Sequence, residues 1–270
     1  MARSYSKDTS ISYVPTDDRD LYPSEDGKPV AASDYHLRLL IWTLQALEAH
    51  FEQNPEVYIS GDIMMYYREG DPRKSISPDV LVCFGINPKM RLTYKTWEEG
   101  KVPDFVMEFS SKSTYDKDLG EKMDVYASLG IQNYFLYDAE GLYLPSPLMG
   151  FTLVDGVYVA VSADERGGFL ASVLDLDFHL RDGEIAIYDP VADEWLQTLA
   201  EKEAARAANA EARAEQETIA RENAETRAEQ EATRAANAET RAEQEATRAE
   251  NAEAEVAQLR EELARLKAPS

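Results

Sequence analysis

Two acidic residues stand in apolar surroundings where such side chains need a partner. Asp79 follows Pro78 and opens an apolar run, and Glu108 lies near the end of the next apolar run. A buried carboxylate is costly unless it is paired, hydrogen-bonded or bound to a metal. If the two runs are neighbouring strands, both carboxylates can supply hard oxygen ligands to Mg²⁺ or Mn²⁺. We therefore predict Asp79 and Glu108 as metal ligands; the alternative for Asp79 is a cap of the turn after Pro78.

Lysines that follow Glu108 could supply the positive charge of such a site. Lys122 lies in a helical segment, and Lys112 is nearer in sequence. A divalent ion acidifies a bound water and stabilises charge on a transferring phosphate, and an ammonium can orient that water or bind the phosphate. From position alone either lysine could serve: Lys122 in a catalytic role, or Lys112 as a phosphate contact. The alternatives are a surface pair between Lys122 and Asp118, four residues earlier, and a plain loop position for Lys112.

Hydrophobic spacing predicts the elements that position these residues. Ser33-Asp34 begins a helix that ends at Asn54-Pro55, and apolar residues follow at spacings of three and four: Leu37, Leu40, Ile41, Leu44, Leu47 and Phe51. The further predicted elements are one extended segment over 57–67, strands over 79–85, 103–109 and 132–137, and a helix over about 118–129. Asp155-Gly156 and Asp182-Gly183 lie between β-rich flanks and predict hairpins.

The charge balance limits the classes of function. The formal net charge is -23, and residues 1–195 contain 34 Asp and Glu against 17 Lys and Arg. Such a surface repels a phosphate backbone at long range, which argues against a non-specific nucleic-acid binder. A nuclease is still allowed, because part of the acidity can hold metal.

The cysteine and histidine content predicts the compartment and excludes one kind of metal site. Cys83 is the single cysteine, so no disulfide can form within the chain and a cytoplasmic location is expected. The N-terminus lacks the apolar core of a signal peptide, and no stretch approaches about 18 apolar residues, so no membrane partner is expected. His50 and His179 have no ligand spacing to a cysteine, so a zinc site is not expected.

The C-terminal part has a different composition. From about Glu194 to Leu266 there is no Pro or Gly, and one residue type recurs every 14 positions: Asn209, Asn223, Asn237 and Asn251. Fourteen residues over four turns is the period of a left-handed coiled coil. Alanine seams bury little area, so the predicted contact is the apolar end: Val256, Leu259, Leu263 and Leu266. We expect homo-oligomerisation through this helix; the alternative is a solvated single helix held by i,i+4 ion pairs.

Four segments, taken in order, resemble one known family. They are 77–82 (SPDVLV), 103–114 (PDFVMEFSSKST), 118–126 (DLGEKMDVY) and 129–138 (LGIQNYFLYD). Their order and gaps resemble the Uma-two family of restriction-endonuclease-like proteins, in the PD-(D/E)XK nuclease superfamily, over roughly residues 30–195. The resemblance implies an α/β fold, a restriction-endonuclease-like core with a mixed central sheet flanked by helices.

The resemblance also implies roles for individual residues. Asp79 matches the family's Pro-Asp aspartate, and Glu108 matches its second acidic ligand. The superfamily lysine usually lies two residues after that glutamate, where this chain has Ser110. In this family the lysine stands on the next helix, where Lys122 matches. His36 matches a frequent family histidine and is expected to line the mouth of the site.

Two other residues are candidates for lining the site. Asp62 follows Gly61 in the first extended segment and is placed near the site, although a turn or bulge explains it equally well. Ser110 follows the second apolar run and could either hydrogen-bond a phosphate or cap the next helix. The residues alone do not choose between these two roles.

Together these observations predict three parts and one function. The parts are an N-terminal arm over 1–32, a restriction-endonuclease-like domain over 33–193, and a charged, alanine-rich helix over 194–270 that forms a coiled coil. The predicted function is a Mg²⁺- or Mn²⁺-dependent endonuclease that hydrolyses nucleic-acid phosphodiester bonds, with DNA as the expected substrate. The alternative is a catalytically inactive nuclease fold that serves as a binding module, with its tail as an oligomerisation or partner scaffold.

Overall fold

The computed structural model describes residues 22–23 and 33–267, with side chains up to residue 262. Most of the predicted arm over 1–32, and the side chains of Leu263 and Leu266, therefore lie outside the described residues. The chain divides into two compact units, Met1–Lys202 and Glu203–Ser270. The first unit contains sheets with flanking helices, in agreement with the predicted α/β class, and a long C-terminal helix follows.

The elements, in chain order, are α1 (Asp34–Phe51), β1 (Val57–Ser60), β2 (Met65–Tyr66), β3 (Ser75–Ile76), β4 (Val80–Phe84), β5 (Tyr94–Lys95), α2 (Thr96–Glu99), β6 (Phe105–Phe109), α3 (Tyr115–Leu119), α4 (Glu121–Leu129), β7 (Asn133–Tyr137), β8 (Leu148–Val154), β9 (Val157–Ala160), β10 (Phe169–Ala171), β11 (Leu176–Arg181), β12 (Glu184–Asp189), β13 (Glu194–Trp195) and α5 (Leu199–Lys267). They form three sheets, with orders β1-β4-β6-β7-β8-β9, β10-β11-β12-β13 and β3-β2-β5.

The six-stranded sheet is the mixed central sheet of the fold. Its strands β6 and β7 are parallel, and its other neighbouring pairs are antiparallel. A parallel pair needs a crossover connection, and here α3 and α4 lie between the two strands in the chain. The pairing of β4 with β6 confirms that the two apolar runs around Asp79 and Glu108 are neighbouring strands.

The two faces of this sheet pack against different helices. Side chains of β4 alternate between the faces: Val80 and Val82 pack in the cluster that contains Leu40 and Leu47 of α1. The other cluster contains Leu81, Cys83 and Tyr126, of which the last belongs to α4. Cys83 is fully buried, as expected for a small core residue.

Helix α1 has the predicted position but buries a somewhat different face. Its N-cap is Ser33, whose hydroxyl accepts a hydrogen bond from the backbone N–H of His36. The buried stripe includes Leu39 and Ala46, whereas Ile41 is 44% exposed. A helix buries positions on one arc of its 3.6-residue period. Small residues such as Ala46 allow α1 to pack closely against the sheet. The prediction from large apolar residues alone was therefore wrong at Ile41, which lies outside the buried face.

The extended segment predicted over 57–67 is interrupted, and that prediction was wrong in its continuity. Strand β1 ends at Ser60, and Asp62 adopts a left-handed φ of 48°. A Cβ at Gly61 would lie 2.4 Å from the carbonyl oxygen of Asp79 and 2.8 Å from Leu44. The chain therefore passes against the start of β4 so closely that only glycine fits.

The helix predicted over about 118–129 is also divided. Gly120 separates α3 from α4, and α4 ends at Leu129, as predicted, where Gly130 adopts the left-handed conformation. The two Asp-Gly turns form the predicted hairpins, with positive φ at both residues in each. Strand β9 is an outer strand of the central sheet, and its Val157 and Val159 are 65% and 52% exposed.

The long helix begins later than predicted. Glu194 and Trp195 pair with β12 as strand β13, and the helix starts at Leu199. Thr198 and Glu201 form a capping box: the Thr198 hydroxyl accepts from the Glu201 N–H, and the Glu201 carboxylate accepts from the Thr198 N–H. This reciprocal cap fixes the first turn of α5.

The second unit is a helix whose described side chains, over 203–262, are almost all exposed. Arg221 and Glu225 form an i,i+4 ion pair at 3.2 Å. Val256 and Leu259 are 47% and 57% exposed. Among the described residues, no helix is both long and apolar enough to cross a membrane.

Candidate active site

The two predicted carboxylates face each other across neighbouring strands. The register pairs Val80 with Met107, so Asp79, one residue before β4, stands opposite Glu108 of β6. Opposite residues of an antiparallel pair project to the same face, with Cβ atoms about 4.5–5.5 Å apart. The backbone N–H of Phe109 donates to Oδ2 of Asp79 at 2.6 Å, which fixes the aspartate at this end of the sheet.

Glu108 is completely buried and makes two short contacts with α4. Nζ of Lys122 lies 2.6 Å from Oε2, and the hydroxyl of Tyr126 donates to Oε1 at 2.5 Å. Both side chains come from one face of the helix, because they are four residues apart. The structure therefore brings Asp79, Glu108 and Lys122 together at one site, with Lys122 in contact with the buried glutamate.

A third carboxylate, Asp118, belongs to the same cluster. It is 1% exposed, and its Oδ1 lies 3.1 Å from Nζ of Lys122. The hydroxyl of Ser110 donates to its Oδ2 at 2.9 Å. Ser110 therefore positions the carboxylate of Asp118. A separate hydrogen bond closes the loop before α3, where the hydroxyl of Thr114 accepts from the N–H of Ser111.

Burial and like charges shape the electrostatics of the cluster. Burial, and then the neighbouring carboxylate of Glu108, raise the pKa of Asp79 well above its usual value. Burial also raises the pKa of Glu108, although the charge of Lys122 opposes this. For Lys122, burial alone would lower the pKa, but the attraction of Glu108 and then of Asp118 outweighs it and raises the pKa. The raised pKa values of Asp79 and Glu108 show that negative charge is unfavourable at both carboxyl groups, and a further cation would stabilise their ionised forms.

His36 lies beside the cluster, on the first turn of α1. It is 7% exposed, and its ring packs against that of Phe109, with 5.4 Å between centroids. Burial lowers the pKa of His36, and the charges of Asp118 and Glu140 oppose the decrease. Its Nε2 has no hydrogen-bond partner among the described residues. The expectation that His36 lines the mouth of the site stays a prediction, but its position near Asp118 supports it.

The other two predicted residues are on the surface. Asp62 is exposed; its N–H donates to the carbonyl of Pro78, and its carboxylate accepts from Ser77 at 3.3 Å. The turn that contains Asp62 lies directly beside the start of β4. A turn residue at this position is therefore also close to Asp79, so the two suggested explanations for Asp62 do not exclude each other. Lys112 is exposed in the turn after β6, and its phosphate contact stays a prediction.

Sequence reasoning missed Tyr126 as a partner of the site and gave Asp118 only as a surface ion-pair partner. Both surround Glu108 and Lys122 in the structure. The signal was the spacing of four residues from Asp118 to Lys122 and again to Tyr126, which places polar groups on the helix face that covers the sheet.

Comparisons with known proteins show the family to which this chain is similar. The family model described as "Uma2: Putative restriction endonuclease" matches residues 23–198. No curated protein matches the chain. Among solved structures, the chain is similar to "a putative nuclease belonging to DUF820 from Anabaena variabilis ATCC 29413", at 11% identity and a TM-score of 0.40. That similarity covers 53% of this chain and 74% of the other.

Proposed function

The chain belongs to the family described as "Uma2: Putative restriction endonuclease", and we propose that its first unit is a metal-dependent nuclease that hydrolyses phosphodiester bonds of DNA. The observation that carries the proposal is the cluster of half-buried Asp79 and fully buried Glu108 and Asp118 around the ammonium of Lys122. Three carboxylates and one ammonium leave a need for positive charge. A divalent ion and a phosphate substrate would meet that need together.

The donor set fits Mg²⁺ or Mn²⁺. Asp79 and Glu108 offer hard carboxylate oxygens from adjacent strands, and Mg²⁺ is commonly bound through one or two carboxylates with water and phosphate oxygens. When bound, such an ion would acidify a water and stabilise charge on the phosphate. Asp79 already uses Oδ2 to accept from Phe109, which leaves Oδ1 for the metal.

Lys122 and Tyr126 would prepare Glu108 for this role. Tyr126 holds Oε1 and thereby orients the carboxylate, so Oε2 is the oxygen available to a metal. Lys122 contacts Oε2 and also lies 3.1 Å from Asp118. When a metal binds Glu108, the Lys122 ammonium can leave Oε2 of Glu108 and keep its contact with Asp118. Its ammonium then has donors free for the attacking water or for a phosphate oxygen.

Cleavage assays with the purified full chain test the proposal. We expect supercoiled plasmid DNA to be nicked or linearised in Mg²⁺ or Mn²⁺, and EDTA to abolish the cleavage. Single-stranded DNA and RNA, assayed in parallel over a range of salt, define the substrate class. The long-range repulsion between an acidic protein and DNA predicts that moderate salt, which screens it, is tolerated.

The opposite result would favour the alternative function. If no nucleic acid is cut with either metal at any salt, and no saturable Mn²⁺ site is found, the fold acts as a binding module. The net charge of -23 is the observation that favours this alternative. The cytoplasmic location expected from the single cysteine stays a prediction under both functions.

We further propose that the C-terminal helix self-associates as a coiled coil. The 14-residue repeat and the exposure of Val256 and Leu259 support this. The full chain is expected to exceed the 30.3 kDa of one copy in light scattering. Replacing Val256 and Leu259 together with serine should shift the mass toward one copy. Val191→Ser is the control, because Val191 is 86% exposed in the first unit; an unchanged mass in the double variant would contradict the proposal.

A further inference from the structure

A second group of metal-binding side chains lies on the four-stranded sheet, away from the strands that carry Asp79 and Glu108. Asp164, Asp177 and His179 each offer one ligand atom, and these atoms all lie within 4.8 Å of one another. Asp177 and His179 are two residues apart on β11, so they project to the same face. Asp164 comes from the loop before β10.

Gly168 makes this arrangement possible. The register pairs Phe169 with Phe178, which places Gly168 opposite His179. A Cβ at position 168 would lie 2.4 Å from Nε2 of the imidazole, so the ring occupies the space that a side chain would fill. The N–H of the same glycine donates to Oδ1 of Asp164 at 2.6 Å. The carboxylate and the imidazole nitrogen are therefore both positioned against Gly168.

His179 is a buried histidine of β11 whose surroundings are mainly aromatic. It is 4% exposed, and its ring packs against those of Tyr188 and Trp195, with 6.2 and 5.1 Å between centroids. Its Nε2 is buried and has no hydrogen-bond partner among the described residues. Buried polar atoms are nearly always satisfied by protein, water or an ion. A nitrogen left in this state beside two carboxylates points to a ligand that carries positive charge.

The carboxylates are also arranged for a cation. Asp164 uses Oδ1 to accept from the N–H groups of both Arg166 and Gly168, so these bonds leave its second oxygen available. The ligand oxygen of Asp177 lies within 4.8 Å of the ligand atoms of both Asp164 and His179. The guanidinium of Arg166 is engaged with Tyr188, to whose hydroxyl it donates at 3.1 Å.

We propose that Asp164, Asp177 and His179 form a second metal site, which binds Zn²⁺ or a similar first-row transition metal ion. One imidazole nitrogen and two carboxylate oxygens match a three-ligand zinc site with an open fourth position. Imidazole favours zinc over magnesium, which prefers oxygen ligands alone. The ligand atoms would have to approach by small side-chain rotations, because zinc holds its ligands at about 2.0–2.2 Å. No zinc site was expected from the sequence, because its histidines have no ligand spacing to a cysteine. The site proposed here uses carboxylates in place of cysteines.

Zinc titration of the full chain in excess Mg²⁺ tests the site, because Mg²⁺ would occupy the carboxylates of the first site. Calorimetry should find one Zn²⁺ per chain, and Co²⁺ in its place should give visible absorption bands typical of nitrogen and oxygen ligands. Asp164→Asn and Asp177→Asn should each weaken zinc binding by about 10- to 100-fold or more. His179→Gln should do the same and should remove the cobalt bands.

Matched variants separate this site from adventitious binding. Asp182→Asn changes an exposed aspartate in the next turn, where asparagine tolerates the left-handed φ of 52°, and His50→Gln changes another histidine. Both should bind zinc as the unaltered chain does. If His179→Gln does not fold by circular dichroism, the two aspartate variants decide the matter. The absence of zinc binding in excess Mg²⁺, or binding that survives Asp164→Asn and Asp177→Asn, would overturn the proposal.

Discussion

Glu108→Gln is expected to lower Mg²⁺-dependent cleavage by roughly 10²–10³-fold, because a lost metal ligand removes several kcal/mol of transition-state stabilisation and each 1.36 kcal/mol is tenfold. Glutamine keeps the shape of the side chain and an oxygen that can accept from Tyr126. It loses the negative charge that holds a metal. Initial rates of plasmid nicking, measured over a range of Mg²⁺ concentrations, provide the comparison.

Two further variants make this result specific to the site. Asp79→Asn should reduce the rate to a similar extent, because Asp79 stands opposite Glu108 in the strand register. Glu121→Gln is the matched control: Glu121 is exposed on α4, next to Lys122 in sequence, and its change should leave the rate within twofold of the unaltered chain. Equal rates for Glu108→Gln and Glu121→Gln would refute the assignment of the metal ligands.

Lys122→Met is expected to destabilise the metal-free protein by about 3–5 kcal/mol, because it leaves buried carboxylates without their partner. Glu108 is fully buried and Asp118 is 1% exposed, and both contact the ammonium. Methionine retains most of the length of the lysine side chain, so the loss of packing is small. Urea unfolding in EDTA, followed by circular dichroism, measures the free energy of unfolding.

Mg²⁺ should restore part of the lost stability in Lys122→Met. A ligand that binds only the folded state stabilises it by mass action, and three unbalanced carboxylates bind a cation more tightly than the neutralised cluster does. Lys117→Met, at an exposed position of α3, is the control and should change stability by less than about 0.5 kcal/mol. A Lys122→Met variant as stable as this control, or one indifferent to Mg²⁺, would show that the ammonium does not hold the cluster together.

The parts of the site that depend on strand geometry could be predicted from the sequence. Two apolar runs, each with one acidic residue, predict adjacent strands, and the alternation of side chains determines that Asp79 and Glu108 share a face. Lys122 was assigned from a family resemblance. Its contact with Glu108 could not be derived from spacing alone, because the crossover between β6 and β7 sets how α4 lies on the sheet.

Two of the errors in the fold arise at glycines, and a third arises from packing. Gly61 and Gly120 interrupt a strand and a helix whose apolar patterns continue on both sides. The sequence alone does not show whether the chain bends at a glycine. At Gly61 the bend follows from the close approach of the backbone to Asp79. At Ile41, the choice between two overlapping helix faces was made by the surface against which α1 packs. The hairpin turns were predicted correctly, because Asp-Gly pairs specify their own backbone conformation.

The outer position of β9 gives the protein a second surface, besides the C-terminal helix, at which copies of the chain can associate. An unpaired strand edge presents backbone N–H and C=O groups that another chain can extend into a continuous sheet. Val157 and Val159 lie on that strand with large exposed fractions and no charged neighbour between them. Among the described residues β9 pairs only with β8, so we expect main-chain pairing at its other edge to give the first unit a second way to associate at high concentration. A dimer that persists after the helix is altered would have its origin there.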